Sequence, residues 1–350
     1  MLFFSEAGLS QLLEAIQASE VYAAVRREQG PEYSRLQKVS EAEVALHQPR
    51  PSASPKAFLQ PARERVAVYS AAGFDADASR PVGEDRALVG LRACDLAAIA
   101  YLDKVFREGD FADPFYEARR QAEFLVSVDC VAVHENCFCT AVGGRPFAES
   151  GFDLNLTPLE SGYLVEVGSD KGQEVVDRAG DAAREPTDDE MRQREAARQQ
   201  AKSQVEEQSG SLRVTEQVQA LLAAKQGTGE LGEMASRCVE CAACTFICPT
   251  CHCFYLYDQV GGEENFERIR TWDSCILGDY SRMAGPAGAK PTPRPSLRNR
   301  CANRLLHKYV FSPQQYGMLG CTGCGRCIEA CCGKIDIREV LRELTGDTSG

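Results

Sequence analysis

The sequence predicts an α+β fold, an N-terminal α/β domain followed by a helical, cysteine-rich domain. Three observations carry this. Strand, helix and strand patterns follow one another between Ala87 and Val128. Polar helix-forming residues replace the β-rich runs after residue 170. Eight of the seventeen cysteines then recur in two copies of one spacing in the last third of the chain. With 350 residues the chain can form two or three packed units, taking about 100–200 residues as the usual domain size.

Residues 1–60 read as an N-terminal helical subdomain. Leu9, Leu12, Leu13 and Ile16 fall at helical spacing, and a proline-bearing irregular stretch runs from Pro49 to Pro61. The α/β domain is assigned to 61–170. Its β-rich runs are Val66–Ser70, Ala87–Leu91, Phe124–Val128 and Tyr163–Val167. Asp95 can cap the helical pattern Leu96–Phe106, and strand, helix, strand in that order implies a βαβ unit. Residues 171–230 are rich in Glu, Gln, Arg, Asp and Ala. Pro186 and Thr187 open a polar helix from about Asp189 to Glu207, read as a solvated linker with no chemistry. Residues 231–350 form the cysteine-rich domain, and Trp272, the only tryptophan, is expected in its core.

Cys238, Cys241, Cys244 and Cys248 are spaced by two, two and three residues, and Cys321, Cys324, Cys327 and Cys331 repeat the pattern. Two cubane [4Fe-4S] clusters require this: three thiolates wrap one cluster and the fourth reaches across to the other. The expected ligand sets are Cys238, Cys241, Cys244 and Cys331 for one cluster, and Cys321, Cys324, Cys327 and Cys248 for the other. Structural zinc also uses paired cysteines, but zinc leaves the third and fourth thiols of each run unexplained. Pro249 follows the first run as the ferredoxin pattern specifies; Cys332 takes that position in the second, where the spacing favours Cys331 as ligand. The long stretch 249–320 between the runs, with Leu305 and Tyr309 at helical spacing and few strand signals, predicts a helical ferredoxin-like dicluster domain rather than a compact bacterial ferredoxin. Each run is expected where a loop enters a helix.

Cys94 follows the run Ala87–Leu91 and Cys130 follows Phe124–Val128. In a parallel sheet both emerge at the carboxyl edge, where ligands collect. Cys137 and Cys139 lie a short loop beyond. These four thiols could hold a third cluster; the alternative is that some are buried small hydrophobes. Cys251, Cys253 and Cys275 could form a further three-thiolate site with His252 as fourth ligand, or pack around the clusters with Cys301 and Cys332.

The formal net charge of −12 argues against a general nucleic-acid or anionic-membrane role, and no stretch approaches the roughly 20 apolar residues needed to span a bilayer. Met1–Glu6 lacks a basic n-region and long apolar run, so the cysteines predict a reducing compartment, the cytoplasm. One basic strip stands out: Lys290, Arg294, Arg298, Arg300, Arg304 and Lys308, with no acidic residue between. It reads either as a solvated loop and helix face, some side chains neutralising the cluster environment, or as a docking surface for an acidic redox partner. Arg326, inside the second run, is read as a charge stabilising a reduced cluster or as a solvated side chain.

Together, Ser54–Leu59, Leu91–Leu96, Leu102–Phe106, Asp129–Cys130, Cys137–Cys139, Cys248–Cys253, Trp272–Cys275, His307–Lys308 and Cys321–Cys327 resemble a family of iron-sulfur electron-transfer subunits, the one that serves anaerobic sulfite reductase and includes the sulfhydrogenase beta subunit. The resemblance implies a protein that passes electrons between a flavin subunit, carrying FAD and exchanging with NAD(P)H, and a catalytic subunit of hydrogenase, sulfite-reducing or heterodisulfide-reducing type. The chain departs from the family pattern at Ala93 and Cys332, both usually proline. The competing reading is an enzyme that reduces a sulfur substrate itself, through an open-site cluster or reactive thiols among Cys251, Cys253 and Cys275. A redox sensor is a third reading, without a DNA-reading element to support it.

Overall fold

The structure, a computed structural model, describes residues 1–36, 44–109, 111–262, 264–283 and 291–346. Its N-terminal part is built on an eight-stranded mixed sheet. In spatial order the strands are Ala183–Arg184, Leu2–Phe4, Tyr163–Val167, Leu154–Pro158, Glu123–Val128, Arg86–Leu91, Glu20–Val25 and Glu32–Leu36. The four from Leu154–Pro158 to Glu20–Val25 are parallel, and the outer strands pair antiparallel. Every residue of Arg86–Leu91 and Glu123–Val128 is buried, which is why both read as largely apolar runs.

Side chains alternate between the two faces of these strands. Ala87, Val89, Phe124 and Val126 pack under Leu9, Leu12 and Leu13 of helix Glu6–Glu14 and Val175 and Val176 of helix Asp170–Ala179. Leu88 and Leu125 face the opposite layer, packing on Leu96, Ile99 and Leu102 of helix Ala93–Phe106 and Tyr116 of helix Pro114–Ala122. The βαβ unit is thus present. Asp95 caps its helix from the third position, its Oδ2 accepting the Arg92 N–H at 3.1 Å. Residues 1–60 differ from the helical subdomain expected, because three strands of this sheet come from them.

A second, four-stranded antiparallel sheet has the order Phe254–Val260, Asn265–Trp272, Arg63–Ser70, Gly73–Asp75. Val66–Ser70 therefore belongs outside the α/β sheet, and the stretch between the cysteine runs, expected to be helical, supplies a hairpin. The aromatic and branched residues of Phe254–Val260 suit a strand. Trp272 is half-buried at the root of this sheet: its Nε1 donates to the Gln60 carbonyl at 2.9 Å and Lys56 Nζ lies 4.1 Å from its ring centroid.

The polar helix runs Asp188–Ser209, opened by a capping box of Thr187 and Glu190. It is a packed element rather than a solvated linker. Glu190, Arg194, Arg198, Ala201, Val205 and Ser209 form a buried stripe at helical spacing. Arg198 Nε donates to Asp129 Oδ2 at 2.7 Å; Thr157 Oγ1 and Asn155 Nδ2 also donate to that carboxylate, at 2.7 and 3.0 Å. Asp129 precedes Cys130, so this helix fixes the strand end that carries a candidate ligand.

In the C-terminal part, helices Glu216–Ala224, Leu297–Leu306 and Ile337–Thr345 close on Leu222, Leu305, Tyr309 and Leu341. Helix Leu297–Leu306 passes through a π turn, His307–Phe311, into Ser312–Tyr316. Pro313 has no N–H to give the Tyr309 carbonyl, so the ladder widens there. No helix among the described residues is long and apolar enough to cross a membrane.

Arg198→Met strands the Asp129 carboxylate in the interior and is expected to destabilise the protein by about 3–5 kcal/mol, read as a lowered thermal midpoint. Arg192→Ala, which breaks an exposed pair with Asp189 on the same helix, is expected to leave the midpoint near wild type.

Candidate metal centres

The two cysteine runs repeat in backbone conformation as well as in sequence. Glu240 and Ala242 in the first run have φ of 57° and 60°, and Gly323 and Gly325, at the matching places in the second, have 65° and 72°. The third cysteine of each run is the second residue of a short helix, Ala243–Phe246 or Arg326–Glu329. Only the second run needs glycine for space. A Cβ on Gly323 would collide with the backbone of Phe138 and Cys139, and one on Gly325 with that of Asn136. The Phe138 N–H donates to the Gly323 carbonyl at 2.8 Å across this contact. Two glycines thus let the loop that carries Cys137 and Cys139 lie directly on the second run.

The sulfur ligands expected from the sequence gather around three cavities. Cys238, Cys241, Cys244 and Cys331 line the first, together with Cys301 and Arg304. Cys248, Cys321, Cys324 and Cys327 line the second, with Arg304, Lys308 and Tyr309. Each cavity draws its fourth thiol from the other run. Cys332 is exposed and lies against Cys241 rather than in the cavity lining. Cys94, Cys130, Cys137 and Cys139 line the third, with Arg50 and Arg92. The cavities form a row, since Arg304 and Cys327 line both the first and the second, and Cys324 both the second and the third. Among the described residues no three His, Cys, Asp or Glu side chains close on a point as one metal ion would need; the thiols surround spaces instead.

Residues 237–335 match the family of 4Fe-4S dicluster domains. Sulfhydrogenase 2 subunit beta of Pyrococcus furiosus is 32% identical over 268 residues, covering 73% of this chain and 73% of its own. The chain belongs to this family of iron-sulfur subunits. It carries a [4Fe-4S] dicluster domain, and the fold is the α+β arrangement expected.

The charges around the cavities fit such clusters. Arg304 is 3% exposed, has no carboxylate partner among the described residues, and its Nε has no hydrogen-bond partner. Lys308 is equally buried; its Nζ donates to Cys248 Sγ at 3.3 Å, Thr250 Oγ1 at 3.2 Å and the Gly320 carbonyl at 2.7 Å. Burial works against the charge of both, but the surrounding thiolates outweigh it and hold both pKa values well above the ordinary range. An isolated buried cation costs several kcal/mol, so these two require an anion among the cysteines. A thiolate-ligated cluster supplies that charge. Buried N–H and O–H groups left without partners at the linings, Arg304 Nε, Thr322 Oγ1 and Arg92 Nε, suit the same occupant.

The basic strip therefore turns inward. Arg300, Arg304 and Lys308 recur every four residues and are all buried, with Arg300 paired to Glu240 at 2.5 Å. Arg298 is exposed beside Glu233, and Lys290 lies outside the described residues. Arg300, Arg304 and Lys308 are buried and so cannot belong to an exposed docking surface. Arg326 is also fully buried rather than solvated, and it pairs with Asp95 at 2.7 Å.

His252 departs from its expected place as a fourth ligand. Its ring packs 5.9 Å from Tyr101, 5.9 Å from Phe106 and 5.6 Å from His307, centroid to centroid, and burial lowers its pKa to about 4. Cys251 lies against Cys248, Cys253 against Cys275 and Cys301 against Cys238. Gly323→Ala is expected to push the Asn136–Cys139 loop off the second run. Iron bound per chain should fall and the thermal midpoint drop, while Gly317→Ala, with open space around its Cβ, should leave iron content unchanged.

Proposed function

We propose that the chain is an electron relay carrying three [4Fe-4S] clusters, held by Cys238, Cys241, Cys244 and Cys331, by Cys248, Cys321, Cys324 and Cys327, and by Cys94, Cys130, Cys137 and Cys139. The observation that carries this is the row of three adjoining cavities, each lined by one of these sets of four cysteines. Bound there, such clusters store and pass single electrons at potentials set by charge, hydrogen bonds and solvent access. The chain's own residues hold them and offset their charge through Arg304, Lys308 and Arg92.

Both ends of the row reach the surface. Cys241 is exposed, and Cys94 and Cys139 line an open groove with Ala97, Gly144, Met318 and Leu319. Two points of exchange suit a protein placed between two redox partners. Following its relative, which is named as a sulfhydrogenase subunit, we assign the chain to a cytoplasmic complex. There it would relay electrons between a subunit carrying FAD and using NAD(P)H, and a catalytic subunit of hydrogenase, sulfite-reducing or heterodisulfide-reducing type.

A second reading has one observation in its favour. A hydrogen bond to Cys275 lowers the Cys253 thiol to about 6, giving a reactive thiol pair outside the three cavities. If that pair reduces polysulfide on its own, purified chain supplied with a chemical reductant turns it over, and Cys253→Ser abolishes turnover. The relay reading expects no turnover without the partner subunits.

Anaerobically purified chain is expected to hold about twelve iron atoms, and Cys94→Ser with Cys130→Ser to reduce this to about eight while preserving the dicluster signals. About eight in the fully loaded wild type removes the third cluster. Colourless protein loading only zinc removes the relay.

A further inference from the structure

The two clusters of the dicluster domain share one buried cation, and only one of them has a cation of its own. Arg304 lines both cavities, between Cys244 and Cys327. Lys308 lines the second alone and donates to the sulfur of Cys248 at 3.3 Å. The other buried arginines here are compensated, Arg326 by Asp95 and Arg300 by Glu240. Lys308 follows Arg304 by four positions, so both project from one side of the helix, and the π turn that begins at His307 lies where Lys308 and Tyr309 face the second cavity. The first cavity has no buried lysine in its lining, and one of its thiols, Cys241, is exposed.

Adding an electron makes a cluster more negative. Burial disfavours that step, because a low-polarity surrounding solvates the extra charge poorly; a fixed neighbouring cation favours it. The second site is the more buried and would be the harder to reduce on burial alone. Both cations that line it, Arg304 and Lys308, lack a carboxylate partner among the described residues, and Lys56, buried nearby and donating to the Thr245 and Cys251 carbonyls, adds a third positive charge on the same side.

We propose that Lys308 and Arg304 set the order of reduction in the dicluster domain. Lys308 makes the site of Cys248, Cys321, Cys324 and Cys327 the first of the two to take an electron, and Arg304 raises the potentials of both together. This rests on the relay assignment above. It deepens that assignment by giving the middle of the row the role of electron store, from which either end can be supplied.

The test is an EPR-monitored redox titration of the anaerobic, iron-loaded full chain. Lys308→Gln keeps a donor for the Gly320 carbonyl and removes the charge. It is expected to shift one feature at least tenfold toward the oxidised form, 59 mV for a one-electron couple. That feature is the higher of the dicluster pair in the wild type, and its partner should move less than threefold. Arg304→Gln is expected to lower both. Lys308→Arg and Arg304→Lys, which retain charge, should stay within threefold of wild type. The proposal is overturned if Lys308→Gln moves both features equally or neither, if Arg304→Gln moves only one, or if the charge-retaining variants shift as far as the neutral ones. Loss of iron from both Lys308 variants would assign Lys308 to folding and also overturn it. A wild type with no reducible iron-sulfur feature would instead remove the relay assignment on which the proposal rests.

Discussion

Positive charge buried among thiols, with no carboxylate to answer it, is the constraint around which this molecule is arranged. Arg304 and Lys308 could not remain charged in the interior beside neutral cysteines, since the desolvation of either would exceed what a few neutral hydrogen bonds return. Eight cysteines gathered on two sides of Arg304 make sense when an anion fills the space. The fold then reads as a device for bringing these groups together. A helix presents both cations, a π turn lies where the second of them faces its cavity, and two cysteine runs with the same left-handed turns close around the result.

The same logic joins the two halves of the chain. Cavities two and three abut because Gly323 and Gly325 admit the Asn136–Cys139 loop at backbone contact. Three polar links cross the same junction. Arg326 reaches Asp95 at the start of the α/β helix, Arg50 reaches Glu329 at 2.9 Å, and Ser52 Oγ donates to the same carboxylate at 2.8 Å. The third thiol group is therefore closed on one side by the second run, so that ordering one site orders the next.

The cysteine runs are legible because their spacing is fixed by local geometry, and the nearness of the four N-terminal cysteines because the strand, helix, strand order before Cys130 implies a parallel sheet with Cys94 and Cys130 at its carboxyl edge. The α+β class followed from the same patterns. Other features were hidden for identifiable reasons. Helix Asp188–Ser209 buries arginines and a glutamate, so its inner face carries no apolar signal; only the recurrence of Glu190, Arg194 and Arg198 every four residues marks it. Arg300, Arg304 and Lys308 show that recurrence too, and a basic strip with it is better read as facing a buried anion than as a surface. Val66–Ser70 carries a sound strand signal, but beside its local partner Gly73–Asp75 its other partner lies some two hundred residues later, a pairing that no local pattern contains. Chain proximity alone makes His252 a candidate fourth ligand, whereas its neighbours are aromatic rings.

Anomalous scattering at the iron edge from anaerobic crystals tests the central claim most directly. The account predicts strong iron density on both sides of the Arg304 guanidinium, one peak enclosed by Cys238, Cys241, Cys244 and Cys331 and the other by Cys248, Cys321, Cys324 and Cys327. Absence of iron beside Arg304 in fully loaded protein, or a single zinc ion in its place, would contradict it.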